Sequence, residues 1–100
     1  MAAPEVKVVW TRKASRHLGA AYTYWTRESS RAAADTMLDR IFSAVEQLET
    51  FPEAGRPGRI AGTRELVIVP TAFLVAYRIH RGRVDIVSLL HGARKWPAKF

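Results

Sequence analysis

Cysteine is absent from this chain, which excludes a disulfide framework and a thiolate zinc site. No apolar run approaches the length needed to cross a bilayer, and MAAPEVKVVW lacks the long apolar core of a signal peptide. The expectation is therefore a cytoplasmic protein with no membrane partner. Carboxylates are scarce: nine Asp and Glu face sixteen Lys and Arg, for a net charge of +7. In so small a domain that excess implies an acidic partner, whether nucleic acid, a ribosome or an acidic protein. The plainer alternative is a basic surface that only aids solubility. No GxxxxGK phosphate loop, dinucleotide glycine pattern or GxSxG elbow occurs. The histidines at 17, 80 and 91 have no carboxylate at ligand spacing, so neither metal nor cofactor is expected.

What is present is apolar and periodic. Hydrophobic residues make up 48% of 100 residues, enough for one domain with a real core. Val6, Val8 and Trp10 alternate in a strand over 5–10, and Thr11 stands where a helix N-cap is useful. Ala14, Leu18, Ala21, Tyr22 and Trp25 recur at helical spacing over 12–28. Ser29 and Ser30 break that helix and can cap a second, over 30–50, whose stripe is Ala34, Met37, Leu38, Ile41, Val45 and Leu48. So short a break predicts an antiparallel hairpin. Residues 52–63, PEAGRPGRIAGT, hold two prolines and three glycines and read as an irregular loop. Its Arg56 and Arg59 are either phosphate or loop contacts or simply solvated cations.

The stretch 64–92 reads as a three-stranded antiparallel meander with turns at Pro70-Thr71 and Arg81-Gly82. Strict alternation groups Phe73, Val75, Tyr77 and Ile79 against Leu74, Ala76, Arg78 and His80. In the last strand it groups Val84, Ile86, Ser88 and Leu90 against Asp85, Val87, Leu89 and His91. One face takes the helices. The other, with Leu74, Ala76, Val87 and Leu89, is apolar at its centre and cationic at its margins, which predicts a partner. The layout is β-α-α-β-β-β, a two-layer α+β domain spanning 1–100 with a helical hairpin on a mainly antiparallel sheet. Arg64, Arg78, His91 and Arg94 form the one constellation with chemical content. A histidine among guanidinium groups can act as acid or base while the arginines hold a phosphate. The alternative is a histidine at a strand end and arginines fringing a sheet. In the tail, 93–100, Trp96 and Phe100 are expected to pack on the body or to meet a partner.

The element order, the segment AGRPGRIAGTREL, the segment AYRIHRGRVDIVSLLHGAR and the closing Trp96-Pro97 together resemble the RelE/ParE superfamily of bacterial toxins. These are the toxin halves of type II toxin–antitoxin modules, often called plasmid stabilisation proteins. The resemblance covers nearly all of 5–97. It implies growth arrest by one of two routes: poisoning of DNA gyrase (ParE-like) or ribosome-dependent mRNA cleavage (RelE-like). Where RelE-like members carry basic residues on the second and third strands, this chain has Glu65, Val67 and no cation near Leu74. The aromatic acid/base position falls at Phe100, without a hydroxyl, and a related subgroup's loop carboxylate falls at Gly58. The chain thus leans to the ParE-like side, a binder of gyrase with target contacts at Arg64, Arg78, His91, Arg94 and Trp96. The nuclease alternative would use His91, Arg64 and Arg94. The resemblance also implies a hetero-oligomeric complex with an acidic, ParD- or RelB-like antitoxin that folds on binding. Tyr22, Trp25, Leu74, Ala76, Val87 and Leu89 are its expected contacts, although Trp25 reads more readily as core.

Overall fold

The computed structural model describes residues 6–92. Strand β1 (Lys7–Trp10) leads into helix α1 (Arg12–Glu28) and helix α2 (Arg31–Glu46), and a short 3-10 turn (Gln47–Glu49) extends α2. Strands β2 (Arg56–Pro57), β3 (Arg64–Val67), β4 (Phe73–His80) and β5 (Arg83–His91) follow. They form one five-stranded sheet in the order β1-β5-β4-β3-β2. Strand β1 runs parallel to β5; every other pair is antiparallel. The two-layer α+β architecture read from the sequence is the architecture observed.

Local chemistry sets the helix ends. Thr11 Oγ1 accepts from the Ala14 N–H and donates to the Ile86 carbonyl at 2.8 Å, so one hydroxyl caps α1 and ties it to β5. Ser30, rather than Ser29, caps α2 by accepting from the Ala33 N–H. The second helix stops at Glu46 and tightens into the 3-10 turn, where the sequence pattern suggested helix to 50. The loop over 52–63 holds the two-residue β2, paired Arg56 to Glu65 and Pro57 to Arg64.

The core lies between the hairpin and the sheet face bearing Val75, Tyr77, Val84 and Ile86, closed by Ala14, Trp25, Ala34, Ile41, Val45 and Leu48. Alternation fails at one point. Ala76 pairs with Ser88 but Tyr77 pairs with Ile86, leaving Val87 as the extra residue of a β-bulge. Beyond it the faces of β5 exchange. Leu89 opposite Val75, and His91 opposite Phe73, join the helix-covered face that strict alternation denied them.

The far face is therefore not an open apolar patch. Leu74 (3% exposed) and Ala76 (0%) are buried, Leu89 belongs to the core, and only Val87 of the four expected contacts is half-buried. Residues 58–63 fold back over this face: the Arg59 N–H reaches Glu65 and the Arg78 guanidinium reaches the Ala61 carbonyl, both from far-face positions.

Candidate functional site

The residues with chemical content gather in two places. The first is the arginine loop. Glu65 on β3 is buried, 2% exposed, which is costly for a carboxylate unless it is paired. Its Oε1 accepts from Arg56 Nε at 3.2 Å and Nη2 at 3.1 Å, and its Oε2 accepts from the Arg59 backbone N–H at 2.8 Å. Arg59 Nε stands 3.8 Å from the same carboxylate. One carboxylate thus pins both ends of the turn that carries Arg56 and Arg59. Two further arginines tether the loop through carbonyls: Arg64 Nη1 donates to Gly55 O at 2.7 Å, and Arg78 Nη1 to Ala61 O at 3.5 Å.

Tyr77 closes the same region from beneath. Its hydroxyl donates to Pro52 O at 2.7 Å and accepts from the Gly55 N–H at 2.9 Å. Burial raises its pKa, with the Gly55 N–H and the Arg64 charge opposing. A side chain at Gly55 would meet the Tyr77 hydroxyl at 2.7 Å, so close approach requires glycine there.

The second place is the cleft between α1 and the C-terminal half of β5, an open space of about 470 Å³ lined by His17, Ala20, Ala21, Tyr24, Phe73, Leu89, Leu90 and His91. Strand β1 ends opposite Ile86, so beyond that point the edge of β5 away from β4 has no strand beside it. His17 serves the bare edge. Its Nδ1 accepts from the Leu89 N–H at 3.4 Å and lies 3.0 Å from Ser88 Oγ. An Nδ1 that accepts places the neutral ring's proton on Nε2. Burial, then Lys13 and Arg16, lowers the His17 pKa from 6.5, which keeps the ring neutral at physiological pH.

The expected constellation is divided. Arg64 pairs with Tyr77 and His91 pairs near the other end of β4 with Phe73. Four residues and two strand spacings separate them, roughly 16 Å between Cα atoms. Leu66, Val75 and Leu89 lie between, under the helices. Arg78 pairs with Asp85 on the opposite face. Arg94 and Trp96 lie outside the described residues. Among the expected antitoxin contacts, Trp25 is core and meets Phe73 edge-on at 5.0 Å. Tyr22 donates its hydroxyl to Asp35 at 2.7 Å, linking α1 to α2. The clamp residues Glu65 and Tyr77 lie within the segments that carry the resemblance but had no role assigned to them, and the edge residue His17 lay in no motif.

The fold is shared with chains of solved toxin–antitoxin systems. The chain superposes on a chromosomal ParDE system chain from P. aeruginosa with a TM-score of 0.79 at 25% identity, covering 87% of this chain and 96% of that one. It shares its fold, at TM-score 0.59 and 22% identity, with the RelBE2 toxin–antitoxin complex of Mycobacterium tuberculosis, over 90% and 94% of the two chains. Sequence relatives agree. The candidate toxin Y4kP of Sinorhizobium fredii is 38% identical over 91% of this chain and 93% of its own length. Toxin RelE2 of Caulobacter vibrioides is 39% identical over 88% and 97%. This is a toxin of the RelE/ParE superfamily. Residues 8–96 match the ParE toxin of type II toxin–antitoxin systems, parDE, and the chain belongs to that family.

Proposed function

We propose that this toxin arrests growth by binding and poisoning DNA gyrase and that an acidic antitoxin, with which it forms a hetero-oligomeric complex, neutralises it. The observation that carries the reading is the division of the polar constellation. General acid–base cleavage of RNA needs a proton-transfer group and phosphate-holding cations around one reacting atom. Here Arg64 and His91 lie at opposite ends of the helix-covered face, while Arg64 and Arg78 tether a loop. That arrangement suits a protein that acts by contact. Family membership supports the same side. The contact surface proposed for gyrase centres on His91 at the end of β5, with Arg94 and Trp96 following it in the sequence and Arg78 on the far face. Arg94→Glu should abolish growth arrest in a protein that still folds; arrest by that folded variant would remove the tail from the surface.

Two observations favour a second reading. The 39%-identical relative bears the name RelE2, and a net charge of +7 suits contact with ribosomal phosphates. In that reading His91 is the acid or base and Arg64 and Arg94 stabilise the transition state. Mapping mRNA 5′ ends after induction separates the two, because codon-linked cuts arise only from the nuclease.

A further inference from the structure

Charge is unevenly divided between the two layers. Of the carboxylates within 6–92, six (Glu28, Asp35, Asp39, Glu46, Glu49 and Glu53) belong to the helices and the segment just after them. From Ala54 to Gly92 only Glu65 and Asp85 remain, against Arg56, Arg59, Arg64, Arg78, Arg81 and Arg83. The fold then concentrates this excess. Far-face pairing sets Arg56 beside Glu65 and Arg78 beside Asp85, and His80 lies opposite Arg83 across the turn that carries Arg81. Neither carboxylate cancels its surroundings. Glu65 is buried beneath two arginines whose side chains are 57% and 49% exposed. Asp85 is 17% exposed and takes Arg83 Nε at 2.8 Å and His80 Nε2 at 3.2 Å, while the side chains of Arg83 and His80 are 49% and 51% exposed. Solvent meets cations; the acids sit under them.

We infer that this far face, from Arg56 and Arg59 to Arg78, Arg81 and Arg83, is a contact surface for the phosphate backbone of duplex DNA. The inference rests on the gyrase reading above, since gyrase is where the toxin would meet duplex DNA. Register gives the surface its reach. Arg56 lies at the level of Ala76 and Arg83 at that of His80, four residues along β4, roughly 13 Å. That matches about four base-pair rises along one DNA strand, room for several phosphates. What the face lacks decides between polyanions. Among the described residues, no Phe, Tyr or Trp holds a strand position on this face. Single-stranded RNA is held chiefly by bases stacked on aromatic rings, whereas duplex backbone needs only placed cations.

The test is the binding of the full chain to a 20-base-pair DNA duplex at several salt concentrations, beside a single-stranded RNA of equal length. Arg81→Gln/Arg83→Gln should weaken duplex binding at least about tenfold at 50 mM salt and flatten the log–log salt slope by about one for each phosphate no longer neutralised. Arg12→Gln/Arg16→Gln on α1 removes the same net charge and should change little; equal loss in both variants would reduce the effect to overall charge and overturn the inference. So would tighter binding of the RNA, or no duplex binding by the unaltered chain. Arg81→Gln alone, in the turn between β4 and β5, serves if the double variant fails to fold. Inhibition of gyrase supercoiling by the unaltered chain, run in parallel, separates the two claims. Gyrase inhibited without duplex binding sinks only this inference; duplex bound without gyrase inhibited sinks the gyrase reading.

Discussion

Glu65→Gln isolates what the arginine clamp contributes. Glutamine keeps the shape of the side chain but replaces one carboxylate oxygen with an NH₂ group. In the buried site both oxygens face donors: Arg56 Nε and Nη2 on Oε1, the Arg59 N–H on Oε2. The amide therefore turns an NH₂ toward a donor whichever way it is flipped. A hydrogen bond to a charged group contributes roughly 1.5–3 kcal/mol, and breaking a fully buried pair costs more. Here the arginine side chains are about half exposed, 57% and 49%, so water recovers part of the loss and the lower range applies. The expected destabilisation is about 2 kcal/mol, which for a domain of this size is a fall in Tm of roughly 8–16 °C. Urea denaturation should show a lower midpoint with an unchanged slope. Amide exchange should accelerate at Arg59, whose N–H loses its acceptor. A loss below about 0.5 kcal/mol would refute the reasoning, since the loop would then be held by the Arg64 and Arg78 tethers without the carboxylate.

Tyr77→Phe removes a donor to Pro52 O and strands the Gly55 N–H; a loss of roughly 1–3 kcal/mol in thermal melts is expected. No loss would mean that water enters beneath the loop. His17 predicts acid lability. Its folded pKa is depressed, so the unfolded chain binds the proton more readily. The histidine's contribution is complete above the unfolded value of 6.5 and is lost as pH falls through the folded one. His17→Gln, which can still accept from the Leu89 N–H without titrating, should flatten that limb of the stability profile; an unchanged pH dependence would assign it to other groups.

Most of the fold was legible because its signals are local. Thr11, the serine pair at 29 and 30, Pro70 and Gly82 punctuate the chain by their own backbone preferences, and the stripes of α1 and α2 repeat at helical spacing. Two features were not. The bulge at Val87 falls just past the point where β1 ends, and nothing at Val87 or Ser88 announces it; without it Leu89 and His91 fall on the wrong face. The parallel pairing of β1 with β5 joins residues more than seventy positions apart. At the site, the arginines were visible as a class of residue, but their partners were not. Whether an arginine meets a target or holds a loop depends on carbonyls such as Gly55 O and Ala61 O and on the depth of Glu65, which only the folded chain sets.

The proposed mode of action for this family member is contact with gyrase. It is tested most directly by incubating the purified protein with gyrase and plasmid DNA, beside a reconstituted translation reaction. Supercoiling should be inhibited and gyrase trapped on cleaved DNA, with mRNA intact. Cleaved mRNA with gyrase unaffected would contradict it and make His91 the first residue to examine for proton transfer.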